Sequence, residues 1–185
     1  MLRLFAFFFF LFLIGACNDE HVVKPNAMLR LEYPKGDFNR VSSNCAYSFL
    51  KNDLASLQID NNCGMNVKYS NMHATVYLTY QRMRNANLDS LLYDAQKLAY
   101  NHDIKAESIP EQPFLNPEEK VYGMFYMING NAASQCQFYV TDSLNHFLTG
   151  SLYFEAKPNF DSIYPAVVYL REDIRKIMES IKWEY

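Results

Sequence analysis

Apolar residues run unbroken from Leu4 to Leu13, with Arg3 before them and Gly15-Ala16-Cys17 after them. A run of about ten residues is too short for the ~20 that a membrane-spanning helix needs and has the length of the apolar part of a secretory leader. Small residues ahead of a cysteine, placed where the run stops, are the pattern of a lipoprotein box. Residues 1–16 are therefore expected to be a signal peptide cut before Cys17, whose thiol accepts the lipid. Residues 17–27 then form the lipidated cysteine and a polar tether without any period, and residues 28–185 form a single domain.

Within that domain Arg30 and Glu32 alternate with Leu29, Leu31 and Tyr33, which predicts a half-buried strand over residues 28–33, stopped by Pro34. Residues 47–50 and 65–69 are short strand candidates. Residues 73–80 are clearer, because β-branched and aromatic residues dominate and Ala74, Val76, Leu78 and Tyr80 share a face. Asn87 reads as an N-cap, and Leu88, Leu91, Leu92, Ala95, Leu98 and Ala99 recur at helical spacing to about residue 102. Residues 103–119 hold Pro110, Pro113 and Pro117 without a period and read as a long connection. Residues 120–129, 135–141 and 147–156 predict an antiparallel meander with turns at Gly130-Asn131 and over residues 142–145. Asp161 reads as the cap of a last helix carrying Ile163, Val167, Leu170, Ile174, Ile177 and Ile181, with Pro165 in its first turn. Two helices and about six strands predict an α+β sandwich, a mostly antiparallel sheet packed by two amphipathic helices.

Charge narrows the partners. A formal charge of −3 lacks the basic footprint of a nucleic-acid binder and gives no electrostatic hold on anionic lipid, so the membrane partner is reached through acyl chains on Cys17. Cys45 and Cys63 flank a polar loop with Asp53, Asp60, Asn61 and Asn62. In the oxidising compartment that a secretory leader implies they are the expected disulfide. Cys136 alternates with Phe138 and Val140 and reads as a small buried hydrophobe.

His21, His73, His102 and His146 have no partner at metal-ligand spacing, and no nucleophile elbow, Cys-x-x-Cys pair or phosphate-cradling glycine loop occurs. The sequence thus points to no catalytic residue, metal or cofactor. An enzyme would need a cluster assembled only in the fold, from residues such as His73, His102, Asp142 and His146. The one small, uncharged loop between apolar strands is Gly130-Asn131-Ala132-Ala133-Ser134-Gln135. It reads either as a plain hairpin turn or as a surface that another backbone approaches closely, with Asn131, Ser134 and Gln135 as the expected contacts. Asp-Ser-apolar triplets make Ser90, Ser143 and Ser162 candidates for glycosylation, since they look like the O-glycosylation acceptor motif of Bacteroidetes envelope proteins. Caps and turns select the same residues.

Several long blocks carry a family resemblance: Ala27-Met28-Leu29-Arg30-Leu31-Glu32-Tyr33-Pro34-Lys35, residues 88–98, Lys120-Val121-Tyr122-Gly123-Met124-Phe125-Tyr126, residues 130–143, residues 146–154, and 157–159 with 161–163. Taken in order and together with the lipobox, they closely resemble the GldD family of gliding-motility lipoproteins. The resemblance implies a Bacteroidetes cell-envelope lipoprotein, anchored to the outer membrane at its periplasmic or surface face. It also implies a part in gliding and in the linked type IX secretion apparatus, as a non-enzymatic accessory or assembly factor acting through protein contacts. The order of elements is also similar to the Mog1/PsbP-like sandwich. The alternative function is a small-molecule, glycan or metal-binding module with its pocket under residues 110–117.

Overall fold

A computed structural model describes residues 33–83, 87–155 and 159–184. Cys17, the tether and most of the first expected strand lie outside the described residues. The strands are β1 (Phe38–Arg40), β2 (Tyr47–Ser48), β3 (Leu50–Asn52), β4 (Ser56–Ile59), β5 (Met65–Tyr69), β6 (Ala74–Arg82), β7 (Ala106–Ser108), β8 (Glu111–Asn116), β9 (Val121–Met127), β10 (Asn129–Gly130), β11 (Ser134–Thr141), β12 (His146–Phe154) and β13 (Lys182–Trp183). The helices are α1 (Leu88–Tyr100) and α2 (Phe160–Glu179). Seven strands join in one antiparallel sheet in the order β4-β5-β6-β12-β11-β9-β8.

Period-two alternation assigns the two faces of this sheet. Val76 lies opposite Leu152 and Leu78 opposite Gly150, while Cys136 and Phe138 continue the same face on β11. A side chain at Gly150 would collide with the Phe138 ring, so the glycine makes room for the largest residue of that row. Leu170, Ile174 and Ile177 of α2, spaced by four and three, close over this face and join Phe49, Met65 and Phe125 in the core. The opposite face is polar and aromatic. α1 covers only part of it, with Ala95 and Leu98 over Gln137, Tyr139, Thr149 and Ser151, and Ala99 is the one residue of α1 that is buried. The fold is thus an α+β sandwich, a mostly antiparallel sheet with one amphipathic helix on each face.

Four expectations need correction. Residues 103–119 are not an irregular connection: β8 pairs with β9, placing Pro113 opposite Met124, and β7 pairs with β10. Proline masks a strand in the sequence, yet an edge strand needs hydrogen bonds on one side only and tolerates the missing N–H. Asp161 does not cap α2. The helix begins at Phe160 after Asn159, no side-chain cap bond is made, and Asp161 sits in the first turn, leaving Pro165 in the second. His73 is not a strand residue but closes the 3-10 turn Ser70–Met72 with φ 48°. Tyr33 lies outside any strand, its ring centroid 5.2 Å from that of Tyr169 on α2.

Candidate functional site

The loop from residue 130 to 135 is built from below. Gly130 has φ 112°, and a Cβ there would press on the backbone of β7, 2.8 Å from the Glu107 nitrogen, so only glycine fits. Asn131 turns its Oδ1 toward α2 and accepts the Phe160 N–H at 2.8 Å, supplying from across the fold the cap that Asn159 does not. Ser134 is buried and donates its hydroxyl to the Cys136 carbonyl at 3.1 Å. Gln135 is also buried, and its Nε2 donates to the Ala132 carbonyl at 2.8 Å and the Gly130 carbonyl at 3.3 Å.

Beneath them lies Arg171, a buried cation on the inner side of α2. Its Nη2 donates to the carbonyls of Ile128 and Gln135, each at 2.9 Å, and its Nε to the Gln135 carbonyl at 3.3 Å. Burial lowers its affinity for the proton below the ordinary arginine value. The guanidinium fork holds both ends of the loop at once, a geometry that lysine cannot copy.

Ser134 and Gln135 therefore are not partner contacts, since both point inward as the loop's own braces. Asn131 is exposed and remains a contact candidate, joined by exposed Ala133, which the sequence reading passed over. The missed signal was Arg171 beside Leu170 in the apolar stripe of the last helix. A guanidinium there needs buried carbonyls to receive it, and a strand-to-strand loop is where unpaired ones are found.

Asn131, Ala132 and Ala133 form one wall of a groove of about 480 Å³, and Asn101, His102 and Lys105 form the other. His102 Nε2 stands 3.0 Å from Nε2 of Gln137, which donates to the unprotonated ring nitrogen. Burial lowers the His102 pKa, in keeping with a neutral ring. Along the outer side of α1 and just past it, Tyr93, Tyr100 and Ile104 stand exposed at steps of seven and four, with Tyr93 62% and Ile104 89% accessible. The Tyr100 hydroxyl donates to Glu111 of β8. A polar groove with a wall of small residues thus adjoins an apolar ridge.

The residues considered for a catalytic cluster do not converge. His146 pairs with Arg82, while Phe154, near His73, pairs with Ala74. His73 and His146 thus stand at opposite ends of the β6–β12 ladder, roughly 25 Å apart at about 3.3 Å per residue. Asp142 and His146 are close, but Asp142 Oδ1 is occupied by the N–H groups of Leu144, Asn145 and His146 at 3.0, 2.7 and 2.8 Å. Burial alone would raise that carboxyl, and these bonds with the His146 charge hold it below the ordinary value. The buried His146 ring shares a hydrogen bond between Nδ1 and the Tyr80 hydroxyl at 2.8 Å and stacks on Trp183. Among the described residues no three His, Cys, Asp or Glu side chains gather as a metal ion would require. Ser90, Ser143 and Ser162 are all exposed, at the start of α1, in the β11–β12 turn and at the start of α2.

The histidines set a pH dependence. Burial lowers the His146 ring below its ordinary value, Asp142 opposing the shift and Arg82 adding to it, and burial lowers His102 as well. The unfolded chain binds these protons more readily than the folded one. Stability is therefore expected to be fully present above the ordinary histidine pKa of about 6.5 and to be lost as pH falls through the lower folded-state values. Denaturant midpoints taken across that range check it. His146→Phe keeps a ring on Trp183 without a proton to gain and should flatten the decline; an equally steep decline in the variant would assign it to other groups.

A family model described as gliding motility lipoprotein GldD matches residues 18–183. The chain belongs to this family. It is a gliding motility lipoprotein, and family membership carries lipid anchoring in the cell envelope with it. The matched span contains the loop, the groove and both helices. Among solved structures the cyanobacterial PsbP of Synechocystis is similar, at 9% identity and a TM-score of 0.48, over 86% of this chain and 99% of that one. Among curated proteins none matches the chain.

Proposed function

We propose that this lipoprotein is a non-enzymatic accessory or assembly factor of the gliding machinery and of the linked type IX secretion apparatus. In this reading acylated Cys17 holds it to the outer membrane, and it acts by docking another envelope protein of that machinery. The observation that carries the reading is the ridge of Tyr93, Tyr100 and Ile104 beside a groove walled by Asn131 and Ala133. Exposed aromatics next to polar groups are the composition of a protein interface, and small residues on a braced loop let a partner backbone approach closely without ordering cost.

The docking surface is tested by Ile104→Glu and Ala133→Arg in the chromosomal gene. Both positions are exposed, so normal amounts of folded, disulfide-bonded protein are expected, with surface spreading lost and co-purifying envelope proteins depleted. Normal spreading by both strains would remove this surface from consideration.

A further inference from the structure

The sheet face beyond the reach of α1 is built differently from the α1 ridge. Its outward positions beyond α1 follow from the register: Gln58 on β4, Asn66 and Lys68 on β5, and Tyr77, Thr79 and Gln81 on β6, with Tyr153 of β12 beside Tyr77. None carries an aliphatic side chain, and Thr75, Phe147 and Ser151 on the same side of the sheet are buried. Lys68 is the one charge, and Glu155 neutralises it at 3.3 Å. This face lacks the exposed aliphatic side chain that the α1 ridge has in Ile104, and it lacks the basic charge of a nucleic-acid or anionic-lipid face.

It offers flat rings among neutral hydroxyls and amides. Tyr77 is 45% accessible, with the Tyr153 ring centroid 5.9 Å away at 70°. The register sets Gln58, Asn66 and Tyr77 in one cross-strand row, so two amides lead from the sheet edge straight to the ring. Neighbouring strands are about 4.8 Å apart, which spaces these groups for an extended ligand crossing the strands. A ring takes the C–H face of a sugar, and amides and hydroxyls exchange hydrogen bonds with its hydroxyl and acetamido groups.

We propose that this face binds the N-acetylated glycan backbone of the cell wall, with Tyr77 as the stacking platform and Gln58, Asn66 and Thr79 as the polar contacts. Side-chain amides are matched by acetamido groups, which a plain glucan lacks. The neutral face suits a polymer whose backbone hydroxyls and amides carry no charge. A lipid anchor and a wall-binding face would together fix the domain between two layers of the envelope, leaving the α1 ridge free.

The experiment uses full-length lipidated protein in mild detergent, titrated with chitotetraose and with cellotetraose while amide shifts are followed, and sedimented with purified sacculi. Expected are shifts confined to β4, β5, β6 and β12, co-sedimentation with sacculi, and weaker binding of cellotetraose. Tyr77→Thr, which keeps a strand-forming residue, and Thr79→Arg should each weaken chitotetraose binding by about tenfold or more with unchanged thermal stability. Absence of both shifts and co-sedimentation in the wild-type protein overturns the proposal, and equal binding of the two sugars overturns its acetamido part. Loss of gliding in Tyr77→Thr without any sugar binding would also overturn it and give the face to a protein.

Discussion

Replacing both Cys45 and Cys63 by alanine is expected to lower folding stability by about 3 kcal/mol, the chain-entropy value for a loop of this length. The two are bonded across a sequence separation of 18. For a domain of this size the loss corresponds to roughly 6–12 °C in Tm. The bond's reach explains why the effect should not stay local. The Cys63 carbonyl accepts the Tyr47 hydroxyl at 2.8 Å, Tyr47 is buried and stacks on Tyr80, and Tyr80 holds His146. Inside the loop Asp60 Oδ1 receives the N–H groups of Asn62 and Gly64 at 2.7 and 2.8 Å. Opening the loop in the unfolded chain therefore removes a constraint from the ensemble that competes with a long chain of native contacts. Thermal scans of the wild-type protein with and without reductant, beside the double variant, check this. Reductant should bring the wild type down to the variant and leave the variant unmoved. A wild type indifferent to reductant while its thiols are shown to be free would contradict the expected cost.

What the sequence reveals and what it hides divide along physical lines. α1 was legible because every signal agreed: Asn87 accepts the Asp89 N–H at 3.0 Å as its cap, and the apolar positions fall at helical steps. β6, β11 and β12 were legible because alternation and β-branched residues coincide on strands paired on both sides. β8 was not, because three prolines outweigh alternation in a reading that cannot know which strand lies at an edge. The candidate site was half legible. A loop of small polar residues reads as surface, and for Asn131 and Ala133 that is correct. Ser134 and Gln135 are buried because β11 is already an interior strand where they stand, and both faces of that strand are covered.

Buried charge was the least legible feature. Arg171 and Asp173 flank the apolar stripe of α2, two residues apart, and in sequence they look like the solvated side of an amphipathic helix. Asp173 is met by Asn52 Nδ2 at 2.7 Å, and burial, opposed by the bond from Asn52, raises its carboxyl above the ordinary value. Tyr169, one turn away, accepts from the same Asn52 side chain and donates to the Pro34 carbonyl. These polar groups tie the helix to the first described residues of the domain on one side and to the 130–135 loop on the other. Hydrophobic patterning places α2 against the sheet, and its buried polar groups decide which backbone segments it holds.

Arg171→Ala is accordingly expected to cost about 3 kcal/mol, because hydrogen bonds from a charged donor contribute ~1.5–3 kcal/mol and the Ile128 carbonyl would be left buried and unmet. The Gln135 carbonyl loses less, since it also accepts the Ile128 N–H at 3.1 Å. Opposing this loss is relief of the guanidinium's own desolvation, the burial that lowers its pKa. Arg171→Met separates the two effects. It fills most of the space and removes the buried charge, so it should recover stability relative to alanine while leaving the loop unbraced. Arg171→Lys should fall short of arginine, since a single ammonium cannot serve the two carbonyls as a fork does. Urea midpoints give the stability order, and hydrogen exchange at Ala132, Ala133 and Ser134 reports the brace directly. Methionine is expected to approach the wild type in the first measurement and to resemble alanine in the second. If the docking reading is right, spreading should follow the exchange result rather than the midpoint: a methionine strain with near-normal stability and a loosened loop should spread poorly. A well-protected loop in the methionine variant would instead show that Gln135 and Asn131 hold the loop without Arg171.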